Sequence, residues 1–389
     1  MTLDGRKITI IGAGIGGLAA ALCLRARGAE VTVLEQAEAI TEVGAGLQIS
    51  PNGVAVLRAL GLEDELARGA VRARAVVLRD HARPGELLRL DLARHAPDMA
   101  YYFVHRADLI DLLAGAVRAA GVQVRLLQKV ERVDPGPEPV LHLASGAQIR
   151  PGLAIGADGL HSRARVALNG ADAPFFTGQV AWRAVVANDA GLGPEAQVFM
   201  GPGRHLVCYP LRQGSAVNIV AVQERADWAD EGWHHGDDPD NLRAVFAGFE
   251  RTATALLERV EDVRLWGLFR HPVAARWHDG RVALLGDAAH PTLPFMAQGA
   301  NMALEDAWVL ADSLARSATP EDGLARYQAR RRPRSARVIA AANGNAWKYH
   351  LRTPALRGAA HLGLRLGGAV MPGRMVRRFD WIYRHDVTV

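Results

Sequence analysis

Two cysteines in 389 residues leave no room for a disulfide scaffold, and Cys23 and Cys208 lack metal-ligand spacing, so buried thiols, a reducing compartment and no metal are expected. Lysine is almost as scarce. Only Lys7, Lys129 and Lys348 occur, and the pI of about 9.5 comes from arginines scattered among alanines, which argues against a nucleic-acid surface. The one local cluster, Arg330, Arg331, Arg332 and Arg334, reads as a solvated helix face. No uninterrupted run of about 18 apolar residues exists to span a bilayer, and the apolar segment after Arg6 and Lys7 is too short for a secretory signal. A cytoplasmic protein without an integral membrane segment is expected. Its 49% apolar content supplies a sizeable core, and its length suits two domains or one elaborated one.

What is present begins with KITIIGAGIGGLAAALCLRARGAEVTVLE, Lys7 to Glu35. A short β-rich run stops at Gly12, a helical pattern follows to Arg27, and a second strand runs from Val31 to Leu34. Gly12, Gly14 and Gly17 fall on GxGxxG within this βαβ unit: the first for a tight turn, the second for approach of a pyrophosphate, the third for helix–strand packing. Glu35 ends the second strand, where a carboxylate suits ribose hydroxyls. Many glycine-rich turns are only turns, but this context predicts a dinucleotide. The motif serves FAD and NAD alike.

Further on, a glycine-rich loop from Gly44 to Gly46 leads to a helix opened by Pro51 and Asn52. Val71 to Leu92 reads as two strands about the Arg83-Pro84-Gly85 turn. Arg106 stands at the entrance of the next helix, equally suited to a surface ion pair and to a cofactor phosphate or flavin edge. Asp158-Gly159 is a turn signal, with Ser162 and Arg165 on the helix that follows. From Gln179 the pattern becomes alternating strands, which predicts an antiparallel substrate layer inserted in an α/β fold. His205, Val207 and Tyr209 share one strand face there. Four residues of strand span about 13 Å, so His205 and Tyr209 would bracket a ring-sized ligand, unless the histidine is merely structural. RVALLGDAAHPTLPFMAQGANMALEDAWVLADSL then carries a strand ending at Asp287 and a helix resuming at Gln298. The Gly299-Ala300-Asn301 amides at that helix start would stabilise the negative charge of a reduced flavin, a feature an NAD enzyme has no use for.

Together, GAGIGGL with Glu35, GADGLHSRAR and LLGDAAHPTLPFMAQGANMALEDA resemble the three fingerprints of the class A flavoprotein monooxygenases, aromatic hydroxylases of p-hydroxybenzoate hydroxylase-like fold. Within that class the chain is most similar to the branch of salicylate hydroxylase, 3-hydroxybenzoate 6-hydroxylase and 6-hydroxynicotinate 3-monooxygenase, over nearly its whole length. The resemblance implies an α/β fold with an α+β insert. A discontinuous Rossmann-like FAD-binding domain (1–70, 101–177, 266–325) would surround a substrate domain (71–100, 178–265), followed by a C-terminal helical segment (326–389). It implies that Gly12, Gly14, Gly17, Glu35, Arg106, Asp158, Asp287, Gly299, Ala300 and Asn301 serve FAD, with Asp158 also near the passing nicotinamide. His205 and Tyr209 match a His-x-x-x-Tyr pair that lines the pocket and helps deprotonate a phenol, His205 as general base.

The implied chemistry is reduction of FAD by NAD(P)H, addition of O₂ at flavin C4a, and transfer of the terminal oxygen of that hydroperoxide to a small aromatic ring activated as phenolate. Hydroxybenzoates and hydroxypyridine carboxylates are the expected substrates, with Arg183 and Gln298 as candidate partners for the acid group. The competing readings are a hydroxylase of quinones or other lipophilic intermediates, and a flavin-binding sensor without turnover. The apolar, arginine-flanked tail from Ala359 to Met371 is expected to pack over the substrate layer or against the partner of a homodimer.

Overall fold

In the computed structural model, which describes residues 2–40, 45–225 and 235–389 (of 345–347 the backbone alone), two sheets divide the work. Gly44 lies outside the described residues. The first sheet has six strands in the order His278–Asp279, Val282–Leu284, Leu153–Gly156, Lys7–Ile11, Glu30–Leu34, Gln123–Arg125, parallel except for the first pair. It is covered on both faces, so Ile8, Ile10 and Ile11 are all buried rather than alternating. The helix Ile15–Arg25 is buried nearly all round, which is why it is built from glycine and alanine. A Cβ on Gly16 would stand 2.6 Å from Leu285 and 3.3 Å from Ala303, on the helix Gly299–Ala315.

The second sheet has eight strands: Gly236–Asp237, Val263–Arg270, Phe175–Ala187, Ala216–Glu224, Arg204–Leu211, Glu195–Gly201, Ala75–Asp80 and Glu86–Asp91. One neighbouring pair, Glu195–Gly201 with Ala75–Asp80, is parallel and the rest are antiparallel. The period of two sorts its side chains. Trp182, Leu206, Cys208 and Ile219 face the short helices Pro239–Phe246 and Arg251–Leu257 in a closed core. The alternate residues, His205, Val207 and Tyr209 among them, face a cavity. The excursion between Val71 and Leu92 thus extends this sheet.

A small sheet, Gly46–Ile49, Tyr102–His105 and Val71–Arg72, joins the layers. The Gly46 amide donates to Asn218 Oδ1 at 2.7 Å, and a Cβ there would meet Asn218 at 2.6 Å and the Tyr209 ring at 2.8 Å. Only glycine permits that approach. The helix Pro320–Ala346 returns along Gly299–Ala315, and the helix Pro354–Val370 lies over the strand Glu86–Asp91, where Gly368 comes close to Leu88. Among the described residues no helix is long and apolar enough to cross a membrane.

Candidate active site

The glycine motif behaves as three different positions. Gly12 has φ +101° and a Cβ there would sit 2.5 Å from the Ala157 carbonyl oxygen, whereas a Cβ on Gly17 would stand 2.0 Å from Gly12 O. Both are packing glycines. Around Gly14 a Cβ would meet nothing within 4 Å, and no side chain caps the helix that starts beyond it. Uncapped amides beside open space fit a dinucleotide pyrophosphate. Glu35 accepts from Ala13 N at 2.7 Å and Ala37 N at 2.9 Å, so its carboxylate is fixed against the glycine loop at the end of its strand.

Asp158 accepts from Ser162 Oγ at 2.6 Å and from the amides of Arg163 and Ala164, and Ser162 in turn caps the helix Arg163–Asn169. Burial raises the Asp158 carboxyl despite those bonds. Arg165, 3% exposed, donates to the carbonyls of Pro272, Ala288 and Ala289 and pairs with Asp172. It therefore ties the Asp158-Gly159 segment to the Gly286–Ala288 turn. Asp287 on that turn is solvent-accessible yet recessed: desolvation raises its carboxyl, and His290, Arg106 and His271 act in the opposite sense. Arg106 N donates to Ala45 O at 2.9 Å, which sets the residue at the layer junction.

The helix Gly299–Ala315 starts at Gln298 without a side-chain cap, so no side chain at the cap position satisfies its first amides. Met296 (φ 71°) and Ala297 (φ 51°), just before it, hold left-handed conformations rarely taken by residues with a Cβ. Asn301 is locked: its amide donates to Gln48 O and Ala297 O and accepts from Ser50 N. Gln298 corrects an expectation. Its amide donates to Ser50 Oγ and Met296 O and accepts from Asn52, so Ala297, not Gln298, lines the cavity.

The arginine cluster is corrected in part: Arg330 and Arg332 are exposed as a solvated face requires, but Arg331 and Arg334 are not. Arg331 is 1% exposed, donates to Asp306 Oδ1 at 2.6 Å and pairs with Glu305, which Arg334 also grips at 2.7 Å through two nitrogens. Asn52 donates to the same Glu305 at 2.6 Å, and His290 bonds Asp306 at 2.5 Å. Burial would raise Asp306, but His290 and Arg331 overcome it and hold the carboxyl at about 2. A charge run has one appearance in sequence whether solvated or buried. The overlooked signal was the acid pair in ALEDAWVL, an otherwise apolar helix that must find cations.

The cavity between the layers has a volume of about 640 Å³. His205, Tyr209 and Arg183 converge on it, joined by Gln48 and Tyr101, whose hydroxyl donates to Gln48 Oε1 at 2.7 Å. Arg183 stacks on Trp266 at 4.8 Å, and burial lowers its guanidinium to about 10. His205 is 3% exposed and its Nδ1 lies 2.6 Å from His350 Nε2. His350 Nδ1 is 3.0 Å from Glu224 Oε1, and Arg352 donates to the other oxygen at 2.6 Å. Burial, then His350, pushes the His205 pKa well below its ordinary value, lower than the working-range value expected of a base. Burial also raises the Tyr209 hydroxyl, with Arg183 opposing.

The FAD binding domain family matches residues 6–342 of this chain. The 3-amino-4-hydroxybenzoate 2-monooxygenase of Streptomyces cremeus is 38% identical over 354 residues, covering 89% of this chain and 88% of that protein. The 6-hydroxynicotinate 3-monooxygenase of Bordetella bronchiseptica is 34% identical, covering 88% and 91%. Among solved structures, Klebsiella pneumoniae HpxO complexed with FAD and uric acid superposes with a TM-score of 0.84 at 26% identity, covering 96% of each chain.

Proposed function

The chain belongs to the FAD binding domain family and is an FAD-dependent aromatic monooxygenase that draws electrons from NAD(P)H, and from that premise we propose that it hydroxylates a phenol or hydroxypyridine carrying a carboxylate. The observation that carries this reading is the meeting of His205, Tyr209 and Arg183 in one cavity. Arg183 offers a half-buried cation to the acid group, and His205 offers a neutral nitrogen to the ring hydroxyl.

The histidine pair supports one of the two His205 nitrogens for that role. With Glu224 accepting from His350 Nδ1–H, His350 Nε2 is left to accept from His205 Nδ1–H, and the lone pair of His205 then stands at Nε2. A phenol proton taken at Nε2 places positive charge on a ring backed by His350 and Glu224, whose carboxylate reaches the exposed Arg352. Phenolate formation makes the ring nucleophilic. FAD would be held by the Gly14 amides, Glu35, Arg106, Asp158, Asp287 and the Gly299–Asn301 helix start, and when bound it supplies the reduction by NAD(P)H and the activation of O₂. The net reaction takes substrate, O₂, NAD(P)H and a proton to hydroxylated product, NAD(P)⁺ and water. The surroundings are the reducing cytoplasm, where buried Cys23 and Cys208, both pushed up to about 12 by burial, stay thiols.

A panel of hydroxybenzoates, aminohydroxybenzoates and hydroxypyridine carboxylates tests this. At least one should stimulate NAD(P)H oxidation and yield a product heavier by one oxygen. Stimulation by none of them, with FAD bound, rejects the proposed substrate class.

A further inference from the structure

The cavity is much longer than a one-ring acid. Cross-strand registers align Arg183, Val220, Val207, Val198, Leu78 and Leu88 as consecutive neighbours across six strands of the second sheet. All six line the cavity. Neighbouring strands lie about 4.8 Å apart, so the row runs about 10 Å from Arg183 to the strand of His205 and Tyr209, and about 14 Å beyond it. A hydroxybenzoate measures roughly 7 Å by ordinary bond lengths, which the first part already accommodates. The volume of about 640 Å³, shared with the flavin ring that must reach the substrate, lies in the roughly 300–1,000 Å³ range of drug-sized ligands.

The two parts differ in chemistry. Polar side chains gather at the Arg183 end: Gln48, Tyr101, His205 and Tyr209. Beyond Val198 the sheet floor is aliphatic, with Val76, Leu78, Leu88 and Leu90 on the last two strands. The C-terminal helices roof this lobe with Leu364, Met375 and Val376, followed by Phe379. Of its polar lining, His361 is already engaged by Asp80 at 3.1 Å, and Lys348 and Arg378 stand on the covering segment.

Resting on the reading that a phenolic acid is the substrate, we propose that this lobe is a binding subsite for an apolar substituent of that substrate, an alkyl or aryl extension of about 10 Å. The phenolic head lies between Arg183 and His205, and the extension runs over Val198 and Leu78 toward Leu88. An apolar floor and roof reward each buried methylene, whereas a bare ring leaves the lobe unfilled.

The test uses the FAD-loaded protein and hydroxybenzoates bearing no chain, butyl, hexyl or phenyl. Dissociation constants come from ligand-induced changes in flavin absorbance, and turnover from product formed per NAD(P)H. Affinity should rise roughly threefold to fourfold per methylene until the lobe is filled. Leu78→Trp, and separately Leu88→Phe, should abolish most of that gain and leave the constant of the unsubstituted ring within about twofold. Equal affinity of bare and extended ligands for the wild type overturns the subsite, whether or not either variant folds. So does a variant that weakens both ligands equally. A chain-length gain without any hydroxylated product supports the lobe and rejects the reaction, so the two failures are distinguishable.

Discussion

At the residue scale, His205 carries the first prediction. His205→Ala should keep FAD and lower hydroxylation by about 10²-fold to 10⁴-fold, the usual scale for a general base, with NAD(P)H consumption surviving as uncoupled H₂O₂ release. Product per NAD(P)H reports it, and unchanged coupling would return the residue to a structural role. Tyr209→Phe should be milder. Under the proposed mechanism His350 positions His205, and its effect is separable because it should move a pH limb. Both rings have lowered pKa values, His205 through burial and then His350, His350 through burial. They stay neutral below the ordinary value of about 6.5, and the acid limb of kcat/KM lies beneath it. His350→Gln removes one depressing neighbour of His205, so the limb should shift upward while kcat falls about tenfold. A lower kcat with an unmoved limb would make His350 packing alone. His205 was a candidate in the sequence but its partner was not: His350 lies 145 positions away, and nothing periodic links them.

At the scale of elements, alternation in QVAWRAVV and AVNIVAVQE announced the second sheet, because a sheet with two different faces writes its period into the chain. The pairing of helix Pro320–Ala346 with helix Gly299–Ala315 was not announced, since it rests on charges. Arg331→Met leaves Asp306 buried with His290 and the Gly286 amide, and Glu305 with Arg334 and Asn52. Stranding a buried ion in this way costs about 3–5 kcal/mol, which denaturant unfolding of the FAD-loaded protein measures. The network also sets an acid limit. Asp306 falls from the ordinary 3.8 to about 2 in the folded protein, so its contribution is full above about 4 and is lost as pH falls toward 2. A destabilisation below about 1 kcal/mol would show that the surroundings relax around the loss.

At the scale of the whole molecule, the dinucleotide layer was readable because its requirements are local: a strand, a glycine turn, a helix and an acid lie within one short stretch. The cavity between the layers was readable only in part, since its walls come from the second sheet, the loop at Phe295–Ala297 and a C-terminal roof that meet only in three dimensions. This division predicts different consequences for two glycines of one motif. Gly14 has open space about its Cβ position and φ −73°, a value any residue adopts, so the fold does not need a glycine there. Gly17 has Gly12 O at 2.0 Å, so the fold does. Gly14→Glu should therefore leave the apoprotein's circular dichroism and Tm near those of wild-type apoprotein, yet abolish FAD binding by setting a bulky anion where the pyrophosphate approaches. Gly17→Ala should instead lower the apoprotein Tm itself, as the helix and the glycine turn are forced apart. Heat-released FAD per chain and thermal scans without cofactor separate the two. Wild-type FAD content in Gly14→Glu would remove the pyrophosphate from this loop, and an unshifted apoprotein Tm in Gly17→Ala would refute the packing role of that position.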